Sequence, residues 1–155
     1  MSERCHITVR TDGTASDELD RAALQRLIDA ALARDGLDRC ALDVLLVDAA
    51  RSAELHATHF ADPEPTDVMS FPDGSFDPER ERRRLGDLAI CVDVARETAA
   101  ERGATSTDVR AELLLYALHG TLHLLGYDDI AQTDRDQMWQ LQQELLAAEG
   151  IDIES

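Results

Sequence analysis

The chain has 155 residues, of which 44% are hydrophobic, and its formal net charge at pH 7 is −17. This length predicts a single domain over residues 1–155 with a substantial core. The acidic charge disfavours nonspecific binding to nucleic acids, which uses basic surfaces. No apolar run reaches the roughly 18 residues of a membrane-spanning helix, and the N-terminus lacks the apolar run of a signal peptide. We therefore expect a cytoplasmic protein without a membrane partner.

The three cysteines, Cys5, Cys40 and Cys91, are widely separated and form no CxxC pair. An odd number of cysteines at such spacing is typical of a cytosolic protein with reduced thiols. The pattern therefore favours neither disulfides nor a cysteine-bound zinc ion.

The first part of the chain alternates between strand and helix patterns. Apolar runs of strand length predict strands at 5–10 and 41–47, and apolar residues at helical spacing predict a helix at 16–33. A second helix, at about 50–60, carries His56 and His59. Their spacing suits a metal ion, but no acid or Cys completes a ligand set, so a role facing solvent or a cleft is favoured.

The second part begins with a loop, because two prolines exclude a helix from residues 61–66. Residues 72–84, rich in Pro, Gly and charged side chains, are predicted to be mobile. The patterns predict strands at 68–71 and 85–92 and helices at 93–102, about 105–125 and 133–148. Asp93 is expected to cap the first of these helices. The second helix is apolar almost all round, which is typical of a buried helix.

The central helix carries the strongest chemical signal in the chain. His119 and His123 lie four residues apart, so they share one face of the helix and can bind a single metal ion. Gly126 can adopt the left-handed conformation that ends a helix, which lets the chain fold back. Asp128 or Asp129 then supplies a third ligand. Two His and one carboxylate leave a coordination position open, as in catalytic sites.

The same His spacing occurs in zinc peptidases with the sequence HExxHxxGxxH, in which the Glu is the general base. Here the residue after the first His is Gly120. The usual peptidase base is missing, so the metal site must serve another reaction or take its base from elsewhere.

Three stretches carry a resemblance to a known family: PTDVMSF at 65–71, LGDLAI at 85–90 and HGTLHLLGYDD at 119–129. In this order they resemble the patterns PTDVLSF, LGDI and HGxLHLxGYDH of the YbeY-type rRNA-processing endoribonucleases. The resemblance runs from about residue 55 to 145. Two positions depart from it. The last family His is Asp129, and the Arg that commonly precedes PTDV has no counterpart, because a gap-free alignment places Phe60 there.

The interleaved elements predict a fold of the α/β class, with a mixed sheet of about four strands and five or six helices. The resemblance implies the same layout (α+β, zincin-like), with the metal site at the end of the buried central helix. The metal is expected to be one Zn²⁺ per chain, bound by His119, His123 and Asp129. The harder carboxylate oxygen also makes Mn or Fe plausible.

The resemblance further implies a metal-dependent endoribonuclease that is specific for single strands. Its relatives act in 16S rRNA 3′-end maturation and ribosome quality control, so the expected partners are RNA and the ribosome or 30S subunit, with no DNA. Whether a metal-bound water or the ribose 2′-OH attacks stays open. Asp128 is the nearest candidate for a catalytic general base, although a metal hydroxide needs none.

Five further residues are candidates for substrate binding. By resemblance, Thr66 and Asp67 lie near the substrate, and the alternative is that they only satisfy backbone groups of a turn. Arg82, Arg83 and Arg84 form a run of Arg in a chain without Lys. Arg suits phosphate, so these residues are expected to contact RNA, and the alternative is a solvated charged loop.

Two other function classes remain open from the sequence. One is a zinc metallopeptidase-like hydrolase, which shares the His spacing. The other is a non-catalytic ribosome-associated protein that binds a metal without cleaving RNA.

Overall fold

A computed structural model of the chain describes residues 3–101, 103 and 106–151. The strands are β1 (Cys5–Thr11), β2 (Cys40–Val47), β3 (Val68–Pro72), β4 (Phe76–Asp77) and β5 (Arg82–Cys91). The helices are α1 (Arg21–Arg34), α2 (Ala49–Phe60), α3 (Val92–Glu101), α4 (Ser106–Leu124) and α5 (Gln132–Ala147). The predicted end of the third helix at 102 and start of the central helix at 105 lie outside the described residues.

The strands form one mixed sheet in the order β1-β2-β5-β3, with β4 paired to the beginning of β5. Strands β1, β2 and β5 are parallel, whereas β3 and β4 run antiparallel to β5. The predicted fold class is confirmed, with five helices in the described part of the chain. The sheet has five strands rather than about four, because the short β4 was not predicted. Strand β3 lies at an edge and borders the site described below.

Helix α4 lies at the centre of the molecule, in contact with β3, β5, α1, α3 and α5. Leu113, Leu118 and Leu122 of α4 are fully buried, which confirms the prediction of a buried central helix. They pack against core residues of the sheet such as Leu88 and Ile90. Each such Leu contributes about 1.5–3 kcal/mol to folding. Among the described helices, none is both long and apolar enough to cross a membrane.

Two helix boundaries differ from the sequence prediction. Helix α1 begins at Arg21 rather than at 16, because the Asp20 side chain accepts a hydrogen bond from the Ala23 N–H and caps the helix there. Asp93 does not cap α3 but lies in its first turn. Its carboxylate accepts a hydrogen bond from the Ala49 N–H at 2.7 Å and thereby connects α3 to the start of α2.

Residues 72–84, predicted to be mobile, instead form a hairpin whose backbone is paired along its length. Phe76 pairs with Arg83 across β4 and β5, and the Arg84 N–H donates to the Ser75 carbonyl at 2.8 Å. The charged composition suggested a solvated loop, but backbone pairing with β2 and β4 extends β5 back to Arg82. Long-range strand pairing therefore overrides the local loop signal here.

Candidate metal centre

The end of α4 is shaped by a glycine turn that reverses the chain. Gly126 has a φ of 101°, which L side chains rarely adopt. Its N–H donates to the His123 carbonyl at 3.0 Å, and the Tyr127 N–H donates to the Leu122 carbonyl at 3.0 Å. This pair of bonds is the Schellman pattern, as the sequence predicts for a glycine C-cap. The turn carries Asp129 back toward the helix end.

The turn brings together the three residues predicted to bind a metal. The Nε2 atoms of His119 and His123 lie 3.0 Å apart. Asp129 Oδ2 lies 3.6 Å from the first Nε2 and 3.4 Å from the second. Zinc bonds of about 2.0–2.2 Å place tetrahedral ligand atoms about 3.3 Å apart, so the three distances suit one ion. His119, His123 and Asp129 form the one potential metal cluster found among the described residues.

The hydrogen bonds made by the Nδ1 atoms of both histidines determine that the lone pair of each ring lies on Nε2, the atom that faces the candidate metal site. His123 Nδ1 lies 3.1 Å from the Tyr127 carbonyl oxygen, which can only accept, so Nδ1 donates. His119 Nδ1 lies 2.6 Å from Gln142 Oε1, another acceptor. Both Nε2 atoms then point lone pairs at each other and at the Asp129 carboxylate. Three such acceptors repel one another, and a bound cation removes that repulsion.

Gln142 is a site residue that the sequence analysis missed. It lies on α5 and is only 3% exposed, and its side-chain oxygen accepts a hydrogen bond from His119 Nδ1. A buried amide requires hydrogen-bond partners, and a metal ligand requires a group that orients its ring. Gln142 lies one turn of helix before Leu145 and Leu146. In the sequence, its position therefore looks like an ordinary core position of an amphipathic helix. The polar residue within an otherwise apolar stripe was the signal available in the sequence.

Gly120 is packed closely against side chains of the sheet. A Cβ atom at this position would lie 2.7 Å from Leu88 Cδ2 and 3.1 Å from Ser70 Oγ. The Ser70 hydroxyl also donates to the Gly120 carbonyl at 3.1 Å. The glutamate of a zinc peptidase would therefore require the side chains of Leu88, Ser70 and Val68 to shift. Nothing in this geometry favours the metallopeptidase alternative.

A cleft of about 310 Å³ opens beside the two histidines. Residues of β3 line it together with the end of α2 and the loop between them: His56, Phe60, Thr66, Asp67, Val68, Met69, Ser70 and Pro72. Thr66 and Asp67 therefore lie next to the candidate metal site, where the resemblance places them. Asp67 also accepts a hydrogen bond from the Val68 N–H at 2.7 Å, so it serves the turn as well.

The arginines predicted to bind phosphate are not brought to this cleft. Arg84 pairs with Asp43 at 3.0 Å, and Arg82 donates to the Cys40 carbonyl at 3.0 Å. Arg83 is exposed. None of the arginines in the described part of the chain lines the cleft. Phosphate contact by this hairpin stays a prediction, and two of the three arginines predicted to make it already have internal partners.

Asp128, His56 and His59 were also candidates from the sequence, and none of them belongs to the metal cluster. Asp128 accepts a hydrogen bond from the Ile130 N–H at 2.9 Å and is not part of the metal cluster. His56 lines the cleft, as one of its two expected roles requires, and its Nδ1 lies 2.7 Å from the Glu64 carbonyl oxygen. His59 is exposed and packs edge-on against Phe71 at 5.0 Å. These two histidines belong to no metal cluster in the described residues.

The cysteines are free and buried, as the sequence predicts for reduced thiols. Burial raises the pKa of the thiols of Cys5, Cys40 and Cys91. A thiol with a raised pKa stays protonated at neutral pH and is a poor metal ligand. The candidate metal centre therefore relies on imidazole and carboxylate.

Comparisons with known proteins agree with this site. The sequence profile of the family described as Endoribonuclease YbeY matches residues 6–150. A protein named Endoribonuclease YbeY from Acidothermus cellulolyticus is 41% identical over 138 residues, which is 79% of this chain and 81% of that protein. The protein of the same name from Thermobifida fusca is 41% identical over 140 residues, which is 87% of each.

A solved structure shows the same fold. The solution structure of TM1509 from Thermotoga maritima matches with a TM-score of 0.61 at 24% sequence identity, covering 94% of this chain and 91% of that one. The profile match extends beyond the 55–145 region in which the sequence motifs lie. The predicted resemblance is thus confirmed along almost the whole chain. On these grounds the chain belongs to the endoribonuclease YbeY family.

Proposed function

We propose that this chain is a metal-dependent endoribonuclease that cleaves single-stranded RNA in the cleft beside α4. One observation carries the proposal: three electron-rich atoms of His119, His123 and Asp129 converge within 3.6 Å of one another at the wall of an open cleft. His119, His123 and Asp129 are partly exposed, so a substrate can reach an ion held there.

Zinc is the metal we propose, with Mn or Fe as alternatives because one ligand is a carboxylate. When bound, such an ion lowers the pKa of a coordinated water and polarises a phosphate oxygen. The chain's own residues orient the ligands. Gln142 and the Tyr127 carbonyl fix the two imidazole rings, and the turn at Gly126 positions Asp129.

The remaining proposed roles follow from position. Thr66 and Asp67 line the cleft within the loop that precedes β3, where they can contact the substrate backbone. Asp128, next in the chain to the proposed ligand Asp129, is the proposed general base, since its carboxylate lies in the same turn. Arg82, Arg83 and Arg84 would act only as a more distant contact for phosphate, because they do not line the cleft.

The proposed substrate is ribosomal RNA, in 16S rRNA 3′-end maturation and ribosome quality control, and the proposed partner is the ribosome or 30S subunit. Family membership supports this assignment, because the relatives are named as endoribonucleases. The net charge of −17 also fits an enzyme that does not bind every nucleic acid it encounters.

The test is cleavage of a single-stranded RNA and of the matching duplex by protein purified without chelator. We expect cleavage of the single strand, loss of activity on metal removal, and recovery with added zinc. His119→Ala should be inactive, whereas His6→Ala, which changes a His on β1, should retain activity. Co-sedimentation with ribosomes without cleavage would favour the non-catalytic alternative. Hydrolysis of casein without RNA cleavage would favour a peptidase.

A further inference from the structure

An exposed aromatic ring stands at the mouth of the cleft. Phe60 is the last residue of α2, lines the cleft together with His119 and His123, and is 50% exposed. An aromatic side chain left half in water loses about half of the free energy that full burial would provide. Exposure of one aromatic ring is common, but this ring lines the same cleft as the candidate metal ligands, and aromatic side chains are typical of ligand-binding clefts.

We propose that Phe60 is a stacking platform for a nucleobase of the single-stranded RNA substrate. This inference rests on the proposed function and adds the way in which the substrate is recognised. Unpaired bases expose flat π-faces that stack on aromatic side chains, and every base has such a face. A platform on one wall and a metal site on the other would place the sugar-phosphate backbone between them.

The platform is held in place by its surroundings. The Phe60 ring lies 5.5 Å from the His56 ring and 6.1 Å from the Phe71 ring, measured between centroids. Ala61 then takes a left-handed conformation with a φ of 56° and ends the helix directly after Phe60. These contacts support one side of the ring and restrict its rotamers. A ring restrained before binding loses less entropy when a base stacks on it.

The loop before β3, which also lines the cleft, is connected to α2. The buried Ser52 hydroxyl of α2 donates to the Thr66 carbonyl at 3.1 Å and accepts from the Thr66 N–H at 3.0 Å. His56 makes a second connection through its Nδ1 and the Glu64 carbonyl. These bonds tie the loop residues Glu64 and Thr66 to the helix that carries Phe60. A base stacked on Phe60 would be placed at a defined distance from Thr66 and Asp67.

The charge distribution favours stacking over phosphate contact. The cleft contains no Arg among the residues that the structure describes, and the chain has no Lys. Phosphate neutralisation by basic side chains, the usual source of affinity for nucleic acids, is therefore weak at this site. Stacking does not depend on charge in this way. It also discriminates against duplex RNA, whose bases already stack on their neighbours.

The test uses the zinc-loaded full chain and a short single-stranded RNA containing 2-aminopurine, whose fluorescence is quenched by stacking. Phe60→Ala and Phe60→Leu should each weaken RNA binding about tenfold and remove the protein-dependent quenching. Phe60→Trp should keep both. The matched control is Phe76→Ala, because Phe76 is 63% exposed and lies on β4, outside the cleft. Metal content should be unchanged in all four variants.

The leucine variant distinguishes stacking from simple apolar contact. If Phe60→Leu binds and quenches like the unaltered chain, Phe60 does not stack on a base, and the proposal is wrong. An equal loss in Phe76→Ala would likewise overturn it, because the effect would not be specific to the cleft. RNA cleavage that persists with an unchanged KM in Phe60→Ala would refute the platform and leave the endoribonuclease standing. Binding and quenching without cleavage would support the platform and refute the endoribonuclease.

Discussion

The two walls of the cleft differ in how their side chains are held. On the wall formed by α4, the Nδ1 atoms of His119 and His123 are each hydrogen-bonded, and a buried Gln142 is the partner of one of them. On the wall formed by α2, the Phe60 ring contacts the rings of His56 and Phe71 and is half exposed. Metal ligands require distances correct to a few tenths of an ångström, whereas a stacking surface tolerates sliding.

This difference shows which parts of the site can be recognised in the sequence and which depend on the tertiary structure. The ligand wall lies within eleven consecutive residues, so its spacing is visible in the sequence. The stacking wall depends on how the end of α2 packs beside β3, which brings residues far apart in sequence into one cleft. The proposed metal ligands are therefore encoded locally in this chain, whereas the proposed substrate contacts depend on the tertiary structure. Four predictions test that division.

The largest effect is expected on the ligand wall. His119→Ala and His123→Ala each remove one of three ligands, so each should abolish the binding of close to one transition-metal ion per chain. Metal content of protein purified without chelator is the measurement, with His6→Ala as the control and circular dichroism as a check of folding. If both variants kept a full complement of metal, the ion would lie elsewhere and the central assignment would fail.

The next effect concerns the two acids of the turn. Asp129→Ala should lose most of the metal affinity, because Asp129 Oδ2 lies near both imidazoles. Asp128→Ala should lose less, since Asp128 is bonded to the Ile130 N–H instead. Asp129→His should keep a zinc site. Competition with a zinc chelator ranks all three. Loss in Asp128→Ala together with unaltered affinity in Asp129→Ala would show that the other acid is the ligand.

A smaller effect is expected where α5 supports the ligand wall. Gln142→Leu should lower zinc affinity about 10–100-fold, because the orienting partner of His119 Nδ1 is lost. Gln142→Glu keeps an acceptor and should retain tight binding. Gln143→Leu, at the exposed neighbouring position, is the matched control. Equal affinity of Gln142→Leu and Gln143→Leu would mean that Gln142 only fills the core.

The smallest effect is expected in the arginine hairpin, which belongs to neither wall. Replacing Arg82, Arg83 and Arg84 together by Gln should weaken RNA binding and flatten its dependence on salt. Arg83→Gln alone should lower the logarithmic salt slope by about one, since it removes the exposed charge of the three. Titrations of labelled single-stranded RNA at several salt concentrations measure the slope. A slope unchanged in the triple variant would return the hairpin to the solvated-charge interpretation.

Several elements could be predicted because their signals are short-range. The buried central helix, the Gly126 turn and the strand at 41–47 all follow from apolar spacing and backbone preference. The hairpin at 72–84 could not be predicted, because its stability comes from pairing with β2 and β5 rather than from its own composition. The cap at Asp20 was missed because several residues before α1 are plausible caps.

The sequence by itself indicated the family through its three motifs and the fold class through its interleaved strand and helix patterns. It also indicated the three converging candidate ligands, because a helix of known period and a glycine turn translate spacing directly into position. Only the tertiary structure decided that Gln142 contacts His119, that Gly120 packs against Leu88 and Ser70, that Phe60 lines the cleft and that Arg82, Arg83 and Arg84 do not. Those four results depend on contacts between elements distant in the chain. Local residue preferences carry no information about such contacts, because the contacts depend on how the elements pack together.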